Sequence, residues 1–356
     1  FIANKGYGVY LFPEASNNTI LRSTISNNST LNPAVYFNGS SATVTESYIS
    51  NPSGRAVEFA SGDRNTLSLS TATNNAPGYQ TIYLGGSSNT IAGCIVSSFR
   101  DAILVTNAGY NTISKSTFTG TVAGYTFSIQ LSSFNTITEA YIENPSGDAL
   151  YMDTGSNFNT VSYSTMASNT GGTRALYMNQ ASSNTITRSV LINPAGSGAV
   201  LQGLSNGNTL SYNSLSVNNA SWKGLSVTNA SSNTLRYLFI SNPAGYSMYI
   251  ADSSSFNAVS RSTVASSASG YFGLLMYRAS SNTVVDSYVQ GGDAAALIDG
   301  STGTVLGGGS WICSNSNPSG YGVRVAGGNV NFALSSGAVK GCVSGTGIGI
   351  NGVNAG

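Results

Sequence analysis

The residue types that usually run enzyme chemistry are scarce in this sequence. His is absent, which removes the commonest general base and the commonest metal ligand. Carboxylates gather in two places: Glu139, Glu143, Asp148 and Asp153, and then Asp286, Asp293 and Asp299. Glycoside hydrolysis wants two carboxyls roughly 5 to 10 Å apart. A β-elimination wants a strong base beside a bound cation or an Arg. Most members of each grouping fall in separate short segments, so they are expected to point in different directions, and no catalytic residue is assigned. Three cysteines, Cys94, Cys313 and Cys342, match no zinc spacing. Neither a metal nor a cofactor is expected. Cys313 and Cys342 sit close enough in the last part of the chain for a disulfide that would clamp neighbouring segments in an oxidising compartment.

Composition narrows the partners. The chain has 356 residues, of which only 8% are charged, and its net charge of +1 leaves no electrostatic footprint for a phosphate backbone. Nucleic-acid binding is therefore excluded as an expectation. No apolar run reaches the roughly 18 residues of a membrane span. Hydrophobic residues make up 40%, enough to argue against disorder although Ser, Thr, Asn and 42 Gly dominate the remainder.

What must position any site is a repeat. Asn-Thr followed by an aliphatic residue recurs with Thr at 19, 66, 90, 112, 136, 160, 185, 209, 234 and 283, with degenerate copies at Thr43, Ala258 and Thr304. The step is about 24 residues, a period that belongs to stacked repeat architectures. A second apolar column lies five residues beyond the first aliphatic one, as at Ile25, Phe118, Ile142 and Leu215. A third segment alternates with period two: Val9-Tyr-Leu11, Val35-Tyr-Phe37, Leu150-Tyr-Met152, Leu176-Tyr-Met178. Each repeat thus offers three short strands, and helical periodicity is missing. Such strands bury a face only when each stacks on its copy one repeat later. Corners such as Asn51-Pro-Ser-Gly54 and Asn242-Pro-Ala-Gly245 read as turns.

Three-strand coils of this length with an inward Asn at one corner resemble the right-handed parallel β-helix, known from pectate lyases, polygalacturonases, phage tailspikes and secreted bacterial surface proteins. The expected architecture is all-β: a right-handed parallel β-helix (β-solenoid) of about fourteen coils of about 24 residues, three short strands per coil. It is expected to form a single domain over 1–356, less regular from about 305 onward. The resemblance also implies where an enzyme would keep its machinery, as clustered carboxylates with Arg, Lys or His on one outer strand face. The paired acids, Gly-His-Gly and Arg-x-Lys strings of polygalacturonases and the Asp-rich calcium strands of pectate lyases are absent from the sequence. Neither Phe1 to Val9 nor Gly341 to Gly356 has the pattern of an amphipathic cap. The expectation is a segment of a longer chain or a stacked assembly.

The columns carry the remaining expectations. An Asn ladder of Asn18, Asn65, Asn89, Asn111, Asn135, Asn159, Asn184, Asn208, Asn233, Asn257 and Asn282 is read as structural, each amide bonding the turn and its own copy above and below. A Ser column, including Ser47, Ser116 and Ser164, reads as small corner filling, and Cys94, in the same column, as a buried free thiol. Charges stack by coil, Arg22 with Glu46, Lys115 with Glu139, Arg261 with Asp286 and Asp148 with Arg174. Tyr10, Tyr36, Tyr83, Tyr151, Tyr177 and Tyr249 occupy the middle of the alternating strand and must face outward if their neighbours face in. They form a candidate binding ledge for a sugar chain or a second copy. Outward Thr-x-Thr and Thr-x-Ser pairs, such as Thr136/Thr138, resemble the flat Thr arrays of insect ice-binding solenoids. The reading is an extracellular or cell-surface structural or adhesive solenoid presenting an uncharged Thr, Ser, Asn and Tyr surface to itself or to polysaccharide. The alternatives are a polysaccharide-degrading enzyme, lyase or glycoside hydrolase, and ice binding through the Thr array.

Overall fold

In the computed structural model the described residues are 6–313, 320–327, 333–340 and 348–350. They form an all-β, parallel, right-handed solenoid of about 13 turns, close to the fourteen expected, with a spacing of about 24 residues. The chain divides into two compact units, Phe1–Ser168 and Asn169–Gly356.

One coil shows how sequence becomes structure. Thr136–Thr138, Tyr141–Asn144 and Asp148–Met152 are its three strands. In the first, Ile137 is buried between two outward hydroxyls, so the short Thr-Ile-Thr string is already amphipathic. Glu139 follows with φ 51°, in the left-handed region, and turns the chain into the second strand. The same corner recurs at Arg22, Glu46, Leu69, Lys115 and Tyr163 in the first unit and at Arg188, Tyr212, Tyr237, Arg261 and Asp286 in the second. A bulky side chain in that conformation costs about 1 kcal/mol or more, so the corner is imposed by the stacked coils.

Stacking is in register. In the first unit Thr19, Thr43, Thr66, Thr90, Thr112, Thr136 and Thr160 are consecutive partners. The aliphatic residue after each points inward. The third strands pair likewise, Val9–Leu11 on Val35–Phe37 and onward to Tyr125–Gln130 on Asp148–Met152. Like side chains therefore meet in the core: the rings of Phe37 and Phe59 stack at 4.5 Å and 5°.

Polar ladders close the corners. Asn65, Asn89, Asn111, Asn135 and Asn159 are buried, and the backbone N–H of each of the first four donates to the side-chain oxygen of the next at 2.8–3.0 Å. Asn184, Asn208, Asn233, Asn257 and Asn282 repeat this in the second unit at 2.8–2.9 Å. Each side chain thus fastens one coil to the previous one and satisfies a buried amide without charge. Asn18 is the exception: it is exposed, and its side-chain amide donates to the Ser16 carbonyl at 3.4 Å. The ladder runs backward, each side chain serving the coil before its own, as Asn65 serves the Ala42 N–H at 2.9 Å, and no earlier coil precedes Asn18 among the described residues. The Ser column does more than fill space, since Ser47, Ser70, Ser116 and Ser164 accept from the backbone N–H one coil earlier.

Candidate functional site

The third-strand sheet shows its outward middle residues in register. In the first unit these are Tyr10, Tyr36, Glu58, Tyr83, Leu104, Ser128 and Tyr151. In the second they begin Tyr177, Val200, Ser226, Tyr249 and Leu275. All six predicted Tyr face outward, but they do not make a continuous ledge. Tyr10 and Tyr36 stack at 4.9 Å, with Tyr7 against both at 4.8 and 5.2 Å. Tyr83 lies under the Arg55 guanidinium at 4.3 Å, and Arg55 pairs with Glu58 at 2.8 Å. Tyr151 is only 7% exposed because Tyr125 covers its ring at 4.1 Å. Tyr177 is 8% exposed because the Arg174 guanidinium lies 3.7 Å from its ring centre. An outward strand position is not an exposed one when side chains from a flanking segment lie across it.

The second unit has a groove here, which sequence reasoning missed. Its cavity is about 220 Å³, lined by Gly172, Arg174, Gln202, Trp222, Lys223 and Tyr249, with Ser197, Val200 and Ser226 below them. The segment 218–224 builds its wall. Asn242, buried at the next corner, donates from its side-chain amide to the carbonyls of Asn219 at 3.0 Å and Trp222 at 2.8 Å. The Asn219 side chain accepts from the Ser221 N–H at 2.8 Å. Lys223 Nζ donates to the Ser221 carbonyl at 3.0 Å. Gly224 lets this segment come close, because a Cβ there would lie 2.6 Å from the Ser247 carbonyl oxygen.

The groove is aromatic on two sides and cationic without a carboxylate among its lining residues. The ammonium of Lys223 lies 5.8 Å from the Tyr249 ring centre. Its half-burial pushes its pKa below the usual lysine value, since desolvation penalises the charged form. Burial moves Tyr249 the other way, keeping its hydroxyl protonated as a donor. Gln202 donates to the Tyr177 hydroxyl at 2.5 Å, which fixes the Gln202 side chain in the lining. This set can stack sugar rings, donate hydrogen bonds to hydroxyls and neutralise an acid group.

The predicted carboxylates are not brought together. Glu139 sits at a corner and Glu143 on a second strand, while Asp148 opens a third strand and is buried. Asp286 is at a corner, paired with Arg261 at 4.0 Å, as Arg22 pairs with Glu46 at 2.7 Å. Asp293 accepts from the Gly270 N–H at 3.0 Å. Among the described residues no three His, Cys, Asp or Glu could share a metal ion. Cys94 is a buried free thiol whose pKa burial raises to about 11. Cys313 is buried and disulfide-bonded, and Cys342 lies outside the described residues. Among the described residues no helix is long and apolar enough to cross a membrane.

A family model described as "Right handed beta helix region" matches residues 1–72 and 80–236, more than half of the chain. The chain belongs to this right-handed β-helix family. No curated protein matches it in sequence. Among solved structures this β-helix is similar to a mutant of the periplasmic alginate epimerase AlgG, with 11% identity, 95% of this chain and 79% of that one covered, and a TM-score of 0.47. It is similar to the DFA-IIIase from Arthrobacter chlorophenolicus A6, with 15% identity, coverage of 74% and 71%, and a TM-score of 0.47. A third similarity is to the catalytic domain of an α-1,3-glucanase, with 10% identity, coverage of 88% and 64%, and a TM-score of 0.48. At these identities the likeness concerns the fold alone.

Proposed function

We propose that this β-helix is an extracellular or surface protein that holds a polysaccharide chain in the groove of its second unit. The observation that carries the reading is the pairing of Trp222 and Tyr249 with Arg174, Lys223 and Gln202 around one open cavity. Aromatic side chains bind the apolar faces of sugar rings, and the cations select chains that bear acid groups. The named structural relatives include proteins that act on alginate and on α-1,3-glucan, which agrees with a glycan ligand. The groove also moves the reading away from a purely structural spacer, whose surface would lack a cleft.

Trp222→Ala tests it. Titration calorimetry with acidic and neutral oligosaccharides is expected to show binding to the intact chain, and a loss of about tenfold or more in the variant with the fold unchanged. Equal affinity in both proteins would overturn the reading.

A second reading rests on Lys223. A lysine with a depressed pKa has a larger neutral fraction near neutral pH and can take a proton from carbon. Beside Arg174 it could serve β-elimination on a uronate: the C5–H bond breaks toward neutral Lys223, the C5 electron pair forms the C4=C5 double bond, and the C4–O4 bond breaks with its pair leaving on O4, which takes a proton from water in the open groove. Glycoside hydrolysis is not supported, because no carboxyl lines the groove. The ultraviolet absorbance of the unsaturated product, assayed with polyuronates, distinguishes lyase from binding protein.

A further inference from the structure

The second unit carries another surface that the groove does not use. After the first strands Thr185–Thr187, Thr209–Ser211, Thr234–Arg236, Ala258–Ser260 and Thr283–Val285, the left-handed corner residues are Arg188, Tyr212, Tyr237, Arg261 and Asp286. The strands pair in register, so these side chains form one column, with Arg236 beside it. The Tyr212 and Tyr237 rings stack at 4.4 Å and 5°. The Arg188 guanidinium lies 5.3 Å from the Tyr212 ring centre, and that of Arg261 lies 5.6 Å from Tyr237. Arg261 also donates to the Tyr237 hydroxyl at 2.5 Å. All three Arg are exposed.

Charge makes this column unusual. A chain of net charge +1 places three guanidiniums within four successive coils of one narrow strip, and the column holds a single carboxylate, Asp286, 4.0 Å from Arg261 and itself exposed. Crowding like charges raises the energy of the free surface and lowers it again when an anion arrives. The Tyr rings hold two of the guanidiniums in place, which reduces the ordering cost of binding. The same column in the first unit reads Arg22, Glu46, Leu69, Gly93, Lys115, Glu139 and Tyr163, with signs alternating and Arg22 paired to Glu46. The scaffold itself therefore does not require a cationic strip.

We propose that Arg188, Arg236 and Arg261, with Tyr212 and Tyr237, form a second binding site, which takes a linear acidic polysaccharide lying along the stack of coils. A guanidinium meets a carboxylate through two parallel hydrogen bonds, and successive sugar carboxylates along a chain can engage successive Arg. Thr185, Thr209 and Thr234, half-buried on the adjacent outward column, supply uncharged hydroxyls to the same chain. The site does not rest on the groove and would exist if the groove bound nothing.

The test uses the full chain and the triple variant Arg188→Gln, Arg236→Gln, Arg261→Gln. Gln is tolerated in this backbone conformation, since Gln180 adopts φ 56°. Polygalacturonate binding is expected to weaken by about tenfold or more and to lose most of its salt dependence, because fewer screened charge contacts remain. Trigalacturonate, short enough for the groove alone, is expected to bind both proteins equally. Trp222→Ala is expected to show the reverse, losing trigalacturonate and keeping strip-dependent polygalacturonate binding. Should the triple variant misfold, Arg236→Glu, in ordinary strand, gives the same comparison. Unchanged polygalacturonate affinity and salt slope in a folded variant would overturn the site. A single-stranded oligonucleotide of matched charge that bound more tightly than polygalacturonate, and lost that binding in the variant, would overturn the polysaccharide assignment.

Discussion

The two units build the outer face of the third-strand sheet from the same alternating string, yet they treat charge on it in opposite ways. In the first, Arg55 is spent on Glu58 at 2.8 Å and on the Tyr83 ring, and Tyr7, Tyr10 and Tyr36 pack against one another. In the second, Val200 and Ser226 occupy the middle positions between Tyr177 and Tyr249, leaving a cavity that Lys223 and Arg174 border. Small residues in the middle of the strip, with an aromatic and cationic wall beside them, are what turn a strand face into a groove. The inside of the solenoid shows no such divergence. Aliphatic columns and Asn ladders are shared by both units, so outward positions are free to vary while inward ones are not.

The largest effects should therefore fall inside and be alike in the two units. Asn135→Ala and Asn233→Ala each remove a buried side chain that accepts a backbone N–H from one coil and returns an amide N–H bond. Leaving those partners unsatisfied is expected to cost about 2–4 kcal/mol in either unit. Denaturant unfolding checks this. A large difference between the two variants would mean that the ladders are not equivalent.

Much of the inside was legible in the sequence, because every coil repeats the same demand. Stacked copies make Ile113, Ile137 and Val161 visible as one column, and the burial of Asn65 to Asn159 follows from their place beside it. The failures lie where one coil departs from its neighbours. Asn18 looked like a ladder member, but a ladder side chain serves the coil before its own, and none precedes Asn18 among the described residues. Tyr151 and Tyr177 looked exposed, and their covers, Tyr125 and Arg174, come from residues 124–126 and 172–174, which the repeat does not constrain. The groove left one trace in sequence. Where other coils have Asn-Pro-Ala-Gly, as at 193–196 and 242–245, this one has Val217-Asn-Asn-Ala220 in register, followed by Ser221, Trp222, Lys223 and Gly224. Likewise, Asn51 and Asn242 read as turn residues, yet their amides each hold three carbonyls.

The comparison of outer faces sharpens with Val200→Glu, which copies the first unit's Glu58 into the second. An acid beside Arg174 and Lys223 would pair with them and fill the cavity. Affinity for acidic oligosaccharides is expected to fall by about an order of magnitude or more, with neutral ones less affected. Tyr36→Ser in the first unit is expected to leave both affinities unchanged. If it abolished binding instead, the ligand would belong to the first unit.

A smaller effect separates the two readings of Lys223. Its pKa lies below the usual lysine value because burial disfavours the ammonium. As an anchor it must be protonated, so affinity for an acidic chain is full below that lowered pKa and declines as pH rises through it, earlier than for an exposed lysine. As a base it must be neutral, so a β-elimination rate would rise over the same interval. Affinity and rate measured against pH on the intact chain and on Lys223→Gln assign the sign. A flat profile in both would remove Lys223 from the groove's chemistry.

The smallest effect is expected at the first unit's corner column. Arg22 and Glu46 make a 2.7 Å ion pair with side chains 74% and 41% exposed. Both are held in the left-handed corner by the stacked strands whatever their side chains do. Water and salt screen such a pair, and ordering two long side chains offsets most of what attraction remains. Arg22→Gln should therefore leave the unfolding midpoint unchanged at physiological salt and leave polygalacturonate binding unchanged as well. The second half of that expectation matters for the comparison. Arg22 holds the corner position in the first unit that Arg188 and Arg261 hold in the second, and differs from Arg261 in the distance of its carboxylate, 2.7 Å to Glu46 against 4.0 Å from Arg261 to Asp286. If its loss weakened polygalacturonate binding as much as the loss of Arg188, Arg236 and Arg261 together, any corner Arg would suffice, and the clustering of three Arg would not be what distinguishes the two units.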